Sequence, residues 1–91
     1  MRLISGHVHR YDVIITFQSV VVIDETRIVT RQLVPEMRKF IANANIITFG
    51  WAEFPDFEVI YIYNKDDDNF GYAVNLQDPT LSEWGYAPFR N

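Results

Sequence analysis

Two histidines near the start of the chain are the residues best suited to metal or acid–base chemistry. In "HVHRYD", His7 and His9 are two positions apart, so both would point to the same face of a strand. Two imidazoles placed in this way can bind zinc or a similar metal, but Asp12 has the opposite parity and no clear third ligand accompanies them. We therefore predict that they are surface histidines and that the chain has no metal site.

Nucleophilic chemistry has no clear sequence signature either. A small hydrolase or nuclease would pair one of the histidines with Ser5, Ser19 or Ser82, but no nucleophile elbow surrounds any of these serines. Cysteine is absent, which excludes a thiolate nucleophile, a disulfide and a cysteine zinc site. The four glycines are isolated and form no phosphate-binding loop. We predict a protein that is not an enzyme and needs no cofactor.

The acidic run "NKDDDNFG", Asn64–Gly71, is the most unusual local feature. A calcium loop needs glycine at its sixth position and glutamate at its twelfth. A loop that starts at Asp66 has Gly71 at the sixth position but Gln77 at the twelfth, and one that starts at Asn64 has neither residue. The run is better explained as a solvated hairpin turn over Asn64–Asn69, because Asp and Asn hydrogen-bond their own backbone in turns.

Charge and aromatic residues are unevenly distributed along the chain. The net charge is -4, and residues 46–91 contain eight Asp or Glu against two Lys or Arg, together with eleven of the fourteen aromatic residues. Arg27, Arg31, Arg38 and Lys39 could form a small basic patch, but nearby acidic residues offset it. We expect no direct nucleic-acid binding and no membrane span, and we expect a cytoplasmic protein.

The hydrophobic pattern predicts a single domain, residues 1–91, of the α+β class. Tyr11–Ile23 and the run after Asp24–Thr26 are rich in β-branched residues and indicate a hairpin. Val34–Ala44 has apolar residues at helical spacing, with Pro35 in the first turn. Three more strands are predicted at Ile46–Ala52, Phe57–Tyr63 and Phe70–Leu76. The expected fold is an antiparallel sheet of four to six strands with one helix packed on one face, in the order β-β-α-β-β-β.

The last two predicted strands should form a hairpin with two different faces. If Tyr63 lies opposite Phe70, one face is aromatic, and it carries Tyr61, Tyr63 and Tyr72. The other face then carries Ile60, Ile62, Gly71 and Ala73, and its small residues leave space for the helix. The register of Ile46–Ala52 stays open by one residue, which leaves the face of Phe49 and Trp51 open. Residues 77–91 are predicted to be an irregular, aromatic-rich tail packed on the domain.

These features favour a small acidic binding protein whose partner is a basic protein or nucleoprotein complex. The predicted contact residues combine turn carboxylates and tyrosines: Glu53, Asp56, Tyr61, Tyr63, Asp66, Asp67, Asp68 and Tyr72. By analogy of size and charge, one concrete form is a phage-encoded or mobile-element-encoded inhibitor that acts as anti-CRISPR proteins and DNA mimics do. The alternatives are an antitoxin or immunity protein that caps a basic nuclease and, from another class, the histidine-dependent hydrolase. The sequence leaves the oligomeric state open, and a dimer is one possibility. It also leaves open whether the C-terminal aromatic residues belong to the core or to an exposed interface.

Overall fold

Eight strands and one helix make up the part of the chain that the computed structural model describes, residues 3–78 and 81–84, the last four as backbone only. The first sheet contains β1 (Ile4–Val8), β2 (Tyr11–Ile15), β3 (Ser19–Ile23) and β4 (Ile28–Gln32). Helix α1 (Pro35–Asn43) follows. The second sheet contains β5 (Ile47–Glu53), β6 (Glu58–Asn64), β7 (Asp67–Asn75) and β8 (Leu81–Trp84). Both sheets are antiparallel, and each strand pairs with its neighbours in chain order.

The α+β class with a helix between β-rich halves is confirmed, and the strands divide between two sheets. The predicted strand Tyr11–Ile23 is two strands, because the chain turns at Thr16–Gln18. The Thr16 hydroxyl accepts hydrogen bonds from the backbone N–H groups of Gln18 and Ser19, at 3.3 and 3.1 Å. This side-chain bonding is typical of Ser and Thr in turns. Within the predicted tail, Leu81–Trp84 form β8, and residues 85–91 lie outside the described part.

The two sheets and the helix enclose one hydrophobic core. Alternate residues of β2, β3 and β6 point into it, as the two-residue period of a strand requires. Met37 and Ile41, four residues apart on α1, are fully buried against the same core. Pro35 occupies the first turn of α1, where its missing N–H costs no helical hydrogen bond. The buried core residues are Tyr11, Val13, Ile15, Val20, Val22, Val29, Leu33, Met37, Ile41, Ile60, Ile62, Tyr72, Val74 and Leu76.

Strands β1 and β5 meet where the two sheets approach each other. A Cβ atom built on Gly6 would lie 2.5 Å from the Phe49 ring, which is closer than carbon atoms can approach. Glycine therefore allows β1 to pack directly on this ring. Phe49 and Trp51 pair with Ile62 and Ile60 and pack against the core, which settles the register that the sequence left open.

The predicted register of the β6–β7 hairpin is wrong by one residue. Tyr63 pairs with Gly71 and Ile62 pairs with Tyr72, whereas Asn64 pairs with Asp67. The register therefore shifts beside Tyr63, and the stretch from Asp68 to Phe70 forms an irregularity in β7. A one-residue shift moves every side chain of a strand to the other face. Tyr72 consequently lies in the core beside the helix, on the face predicted to carry Gly71 and Ala73.

Among the described residues, no helix is both long enough and apolar enough to cross a bilayer.

Candidate functional site

A groove of about 500 Å³ lies between α1 and the β6–β7 hairpin, and we call it the α1 groove. Its volume is within the range of about 300–1,000 Å³ that is usual for ligand sites. The helix lines it with Pro35, Glu36, Lys39, Phe40, Asn43 and, at its C-cap, Ala44. The hairpin lines it with Asn64, Asp67, Phe70 and Tyr72.

Three aromatic rings form the apolar part of the α1 groove. Phe40 of α1 lies with its ring centroid 5.5 Å from both Phe70 and Tyr72, and those two rings are 5.6 Å apart. All three pairs have the edge-to-face geometry that aromatic rings prefer. Tyr72 is buried, whereas Phe40 and Phe70 are half-buried, so part of their surface faces the groove. The irregularity of β7 places Phe70 here, near the helix.

Charged side chains of both signs stand among the groove residues. Glu36, in the first turn of α1, and Asp67, at the start of β7, are both exposed and come from opposite walls. Lys39 also lines the groove, which leaves two carboxylates against one ammonium. The lining therefore has a net charge of -1, because Glu36 and Asp67 contribute -2 and Lys39 contributes +1.

The hairpin is tied to the segment that follows the helix. The backbone N–H of Lys65 donates to the Ile46 carbonyl at 2.9 Å, and the Asn45 side chain donates to Asp66 at 3.2 Å. The Asn64 side chain accepts the Asp66 N–H at 3.1 Å. These hydrogen bonds hold the hairpin wall of the α1 groove against the segment that follows α1, so a ligand would not have to order this wall.

A second cluster surrounds Glu58, which is 5 % exposed and is the buried charged residue of the described part. One carboxylate oxygen of Glu58 accepts the Tyr11 hydroxyl at 2.7 Å and Arg27 at 3.3 Å. The other oxygen accepts the Trp51 indole N–H at 2.7 Å and lies 3.9 Å from Arg10. These partners come from β2, from β5 and from the β1–β2 and β3–β4 turns, which lie at the same end of the first sheet. The Glu58 cluster therefore joins the two sheets.

The pKa of Glu58 reflects opposing effects. Burial alone would raise it, but hydrogen bonds from Tyr11 and Trp51 and the charges of Arg10 and Arg27 hold the pKa below its usual value. Burial and the hydrogen bond to Glu58 raise the pKa of Tyr11, so the phenol stays protonated and can donate. Glu58 is ionised and fully engaged within the fold, which indicates a structural role.

The predicted contact residues fall into separate places. Asp66, Asp67 and Asp68 lie together at one end of the β6–β7 hairpin, and we call these three residues the acidic hairpin end. Only Asp66 is in the turn, because Asp67 and Asp68 already belong to β7. Glu53, the last residue of β5, and Asp56, in the β5–β6 turn, are exposed at the opposite end of β6.

The three predicted tyrosines are divided between the two faces of the second sheet. Tyr72 faces the core, whereas Tyr61 and Tyr63 alternate with Ile60 and Ile62 and face the other way. Tyr61 is buried and Tyr63 is half-buried. Burial raises the pKa of both phenols, and the charge of Asp68 raises that of Tyr63 further. Tyr63 therefore lies within electrostatic reach of the acidic hairpin end, whereas Tyr72 reaches the α1 groove.

The two histidines have different surroundings, because β1 ends at Val8 and His9 lies in the following turn with a left-handed φ of 56°. His9 stacks on Trp51 with ring centroids 3.8 Å apart. His7 lies 3.0 Å from Asp12 on the neighbouring strand, but the two side chains are 63 % and 67 % exposed. That exposure leaves the pair without the water-excluded surroundings that strengthen catalytic hydrogen bonds.

Within residues 3–78 and 81–84, no group of three or more His, Asp or Glu residues is placed to hold a metal ion. The predicted basic patch is also partly used within the fold. Arg27 binds Glu58 and the Leu76 carbonyl, and Arg31 binds the carbonyls of Asn75 and Asp78. These two arginines thus donate hydrogen bonds to a carboxylate and to backbone carbonyls of the chain itself.

The sequence interpretation missed the α1 groove and the Glu58 cluster. The burial of Glu58 could have been inferred from the sequence, since Glu58 shares strand parity with Ile60 and Ile62. Phe40 lies within the predicted helix, but its contact with Phe70 depends on the β7 irregularity, which no local pattern shows. Comparisons with protein families, curated proteins and solved structures give no match to this chain, so its function has to be inferred from these side chains.

Proposed function

We propose that this chain is a non-catalytic protein-binding domain whose partner presents a basic surface. The observation that carries the proposal is the position of the acidic hairpin end beside the α1 groove, since Asp67 belongs to both. Exposed carboxylates speed the approach of a basic partner, and aromatic residues in a depression supply the contact area that slows dissociation. An inhibitor of a basic nucleic-acid-binding complex is the concrete form of this proposal.

The proposal places the contact at one end of the molecule. Glu53 and Asp56, at the far end of β6, are separated from the acidic hairpin end by the length of a seven-residue strand. A seven-residue strand spans roughly 20 Å, more than the screening length of about 8–10 Å at physiological salt. Glu53 and Asp56 therefore contribute little to steering a partner toward the groove.

The test compares two triple variants that remove equal charge. Asp66→Asn/Asp67→Asn/Asp68→Asn neutralises the acidic hairpin end, and asparagine keeps the side-chain oxygens that accept backbone hydrogen bonds. Glu25→Gln/Glu53→Gln/Asp56→Asn neutralises three exposed carboxylates elsewhere. Both variants should remain folded, as circular dichroism can verify.

Each form is immobilised at low ionic strength and exposed to a bacterial lysate, and the captured proteins are quantified by mass spectrometry. The expected result is a basic protein that high salt releases and whose recovery falls about tenfold with the hairpin variant, the effect of three weak surface pairs. Recovery should be nearly unchanged with the control variant. Equal recovery with both variants, or equal loss with both, would overturn the proposal.

A further inference from the structure

We infer that the α1 groove receives an arginine side chain of the partner, together with apolar residues that flank this arginine. This inference rests on the proposed function, because it identifies the part of the basic partner that the groove contacts. It is carried by the combination of aromatic rings and carboxylates in one depression, with Glu36 on the helical wall and Asp67 on the hairpin wall.

The chemistry of arginine matches both parts of the groove. A guanidinium group is planar and weakly hydrated, so it stacks on aromatic rings such as the half-buried Phe40 and Phe70. It also carries five donors that can reach carboxylates on two sides. The aliphatic stem of arginine covers apolar surface while its charged head stays near water. An acidic side chain would meet Glu36 and Asp67 and is disfavoured.

The size of the groove indicates that apolar residues of the partner flank the arginine. A volume of about 500 Å³ is larger than one arginine side chain needs, and its walls are mainly Pro35, Phe40, Ala44, Phe70 and Tyr72 on the apolar side. The hydrogen bonds of the hairpin to Asn45 and Ile46 fix one wall of this space. A leucine beside the arginine would fill the remaining apolar space.

Lys39 makes it possible to test how far charge contributes to binding in the α1 groove. Its ammonium lines the same groove and opposes an incoming cation. Removing Lys39 and removing the two carboxylates should therefore change the affinity for a cation in opposite directions. If the groove bound its ligand through apolar contacts alone, neither change would alter the affinity, because such contacts do not depend on the nearby charges.

The test uses the tripeptide Ac-Leu-Arg-Leu-NH₂ and its citrulline analogue, which has the same shape without the charge. Binding to the full chain is followed by NMR titration of ¹⁵N-labelled protein. We expect saturable shifts at the backbone amides of Phe40, Asn43 and Phe70, and affinity about threefold to tenfold higher for arginine than for citrulline, the effect of one or two exposed ion pairs.

Three variants complete the experiment. Glu36→Gln/Asp67→Asn should remove most of the preference for arginine, and Lys39→Gln should increase it. Glu25→Gln/Asp12→Asn, which removes two carboxylates outside the groove, should leave it unchanged. Equal affinity for the two peptides, shifts confined to other surfaces, or no saturable binding would overturn the inference. The capture experiment with the hairpin variant is independent of these results, so the proposed function can survive such an outcome.

Discussion

Replacement of Glu58 by glutamine is the sharpest test of how this fold is held together. The substitution keeps the size of the side chain but replaces one acceptor oxygen with an NH₂ group. The Trp51 indole can only donate, and Arg27 can only donate as well, so the one oxygen of the introduced amide cannot serve the partners of both carboxylate oxygens. One buried donor therefore loses its partner, or the side chains have to rearrange.

The size of the effect follows from these contacts. Hydrogen bonds to a charged group contribute about 1.5–3 kcal/mol each, and removing one member of a buried ion pair costs about 3–5 kcal/mol. The arginine partners are only partly buried, with Arg10 and Arg27 side chains 59 % and 36 % exposed, so water compensates part of their loss. We expect Glu58→Gln to lower the free energy of unfolding by about 2–3 kcal/mol at neutral pH.

The effect should depend on pH with a defined sign. The pKa of Glu58 is lower in the folded protein than in the unfolded chain, so the unfolded chain binds the proton more readily. The stabilisation is therefore complete above the ordinary glutamate pKa of about 4.3 and is lost as the pH falls through the lower folded value. The difference between wild type and Glu58→Gln should narrow as the pH falls from about 6 to about 3.

Urea unfolding followed by circular dichroism measures both quantities. Glu25→Gln, an exposed change in the β3–β4 turn, is the matched control and should alter stability by less than about 0.5 kcal/mol. A Glu58→Gln variant as stable as this control at neutral pH would refute the assignment of Glu58 as a link between the sheets. A gap that stays constant through the acidic range would refute its electrostatic origin.

Two further substitutions test local packing and turn geometry. Gly6→Ala should lower the free energy of unfolding by about 1–3 kcal/mol, because the new Cβ would overlap the Phe49 ring. Ser5→Ala, an exposed change at the neighbouring residue, should have little effect. Equal stability of the two variants in urea unfolding would contradict the close packing of β1 on β5. Asp24→Ala should melt below Asp24→Asn, because one oxygen of Asp24 accepts hydrogen bonds from the Thr26 N–H, the Thr26 hydroxyl and the Arg27 N–H. The backbone hydrogen bond from Thr26 is the main cause that lowers the pKa of Asp24 in the folded protein. The melting temperature of wild type should therefore fall more than that of Asp24→Ala as the pH is lowered through the aspartate range. Melting temperatures that fall equally with pH in the two proteins would contradict this.

The elements that were predicted correctly from sequence are those with local causes. Helix α1 follows from the spacing of Met37 and Ile41 and from Pro35 in its first turn. The turn after β3 follows from Asp24, whose side chain binds the backbone two and three residues ahead. In both cases the interactions lie within a few residues of each other, so a single sequence contains the information.

The features that were missed depend on contacts between distant segments. The run Asp66–Asp68 has the composition of a loop, but two of its aspartates continue into β7, and the resulting irregularity changes which face Tyr72 occupies. The burial of Glu58 can be read from strand parity, yet the donors that make it tolerable come from residues 10, 11, 27 and 51. Only the packed fold brings these together.

The chain-order pairing of both sheets has a consequence for how the protein folds. Every strand of the described part pairs with strands that neighbour it along the chain, so each sheet can form from contacts of short sequence separation. Such local topologies close small loops and fold quickly. The contacts between the sheets, by contrast, join residues far apart, such as Tyr11 and Glu58. We therefore expect the contacts between the sheets to form after the pairing within each sheet. A link made that late, such as the one from Tyr11 to the buried carboxylate, would stabilise the native state mainly by slowing unfolding.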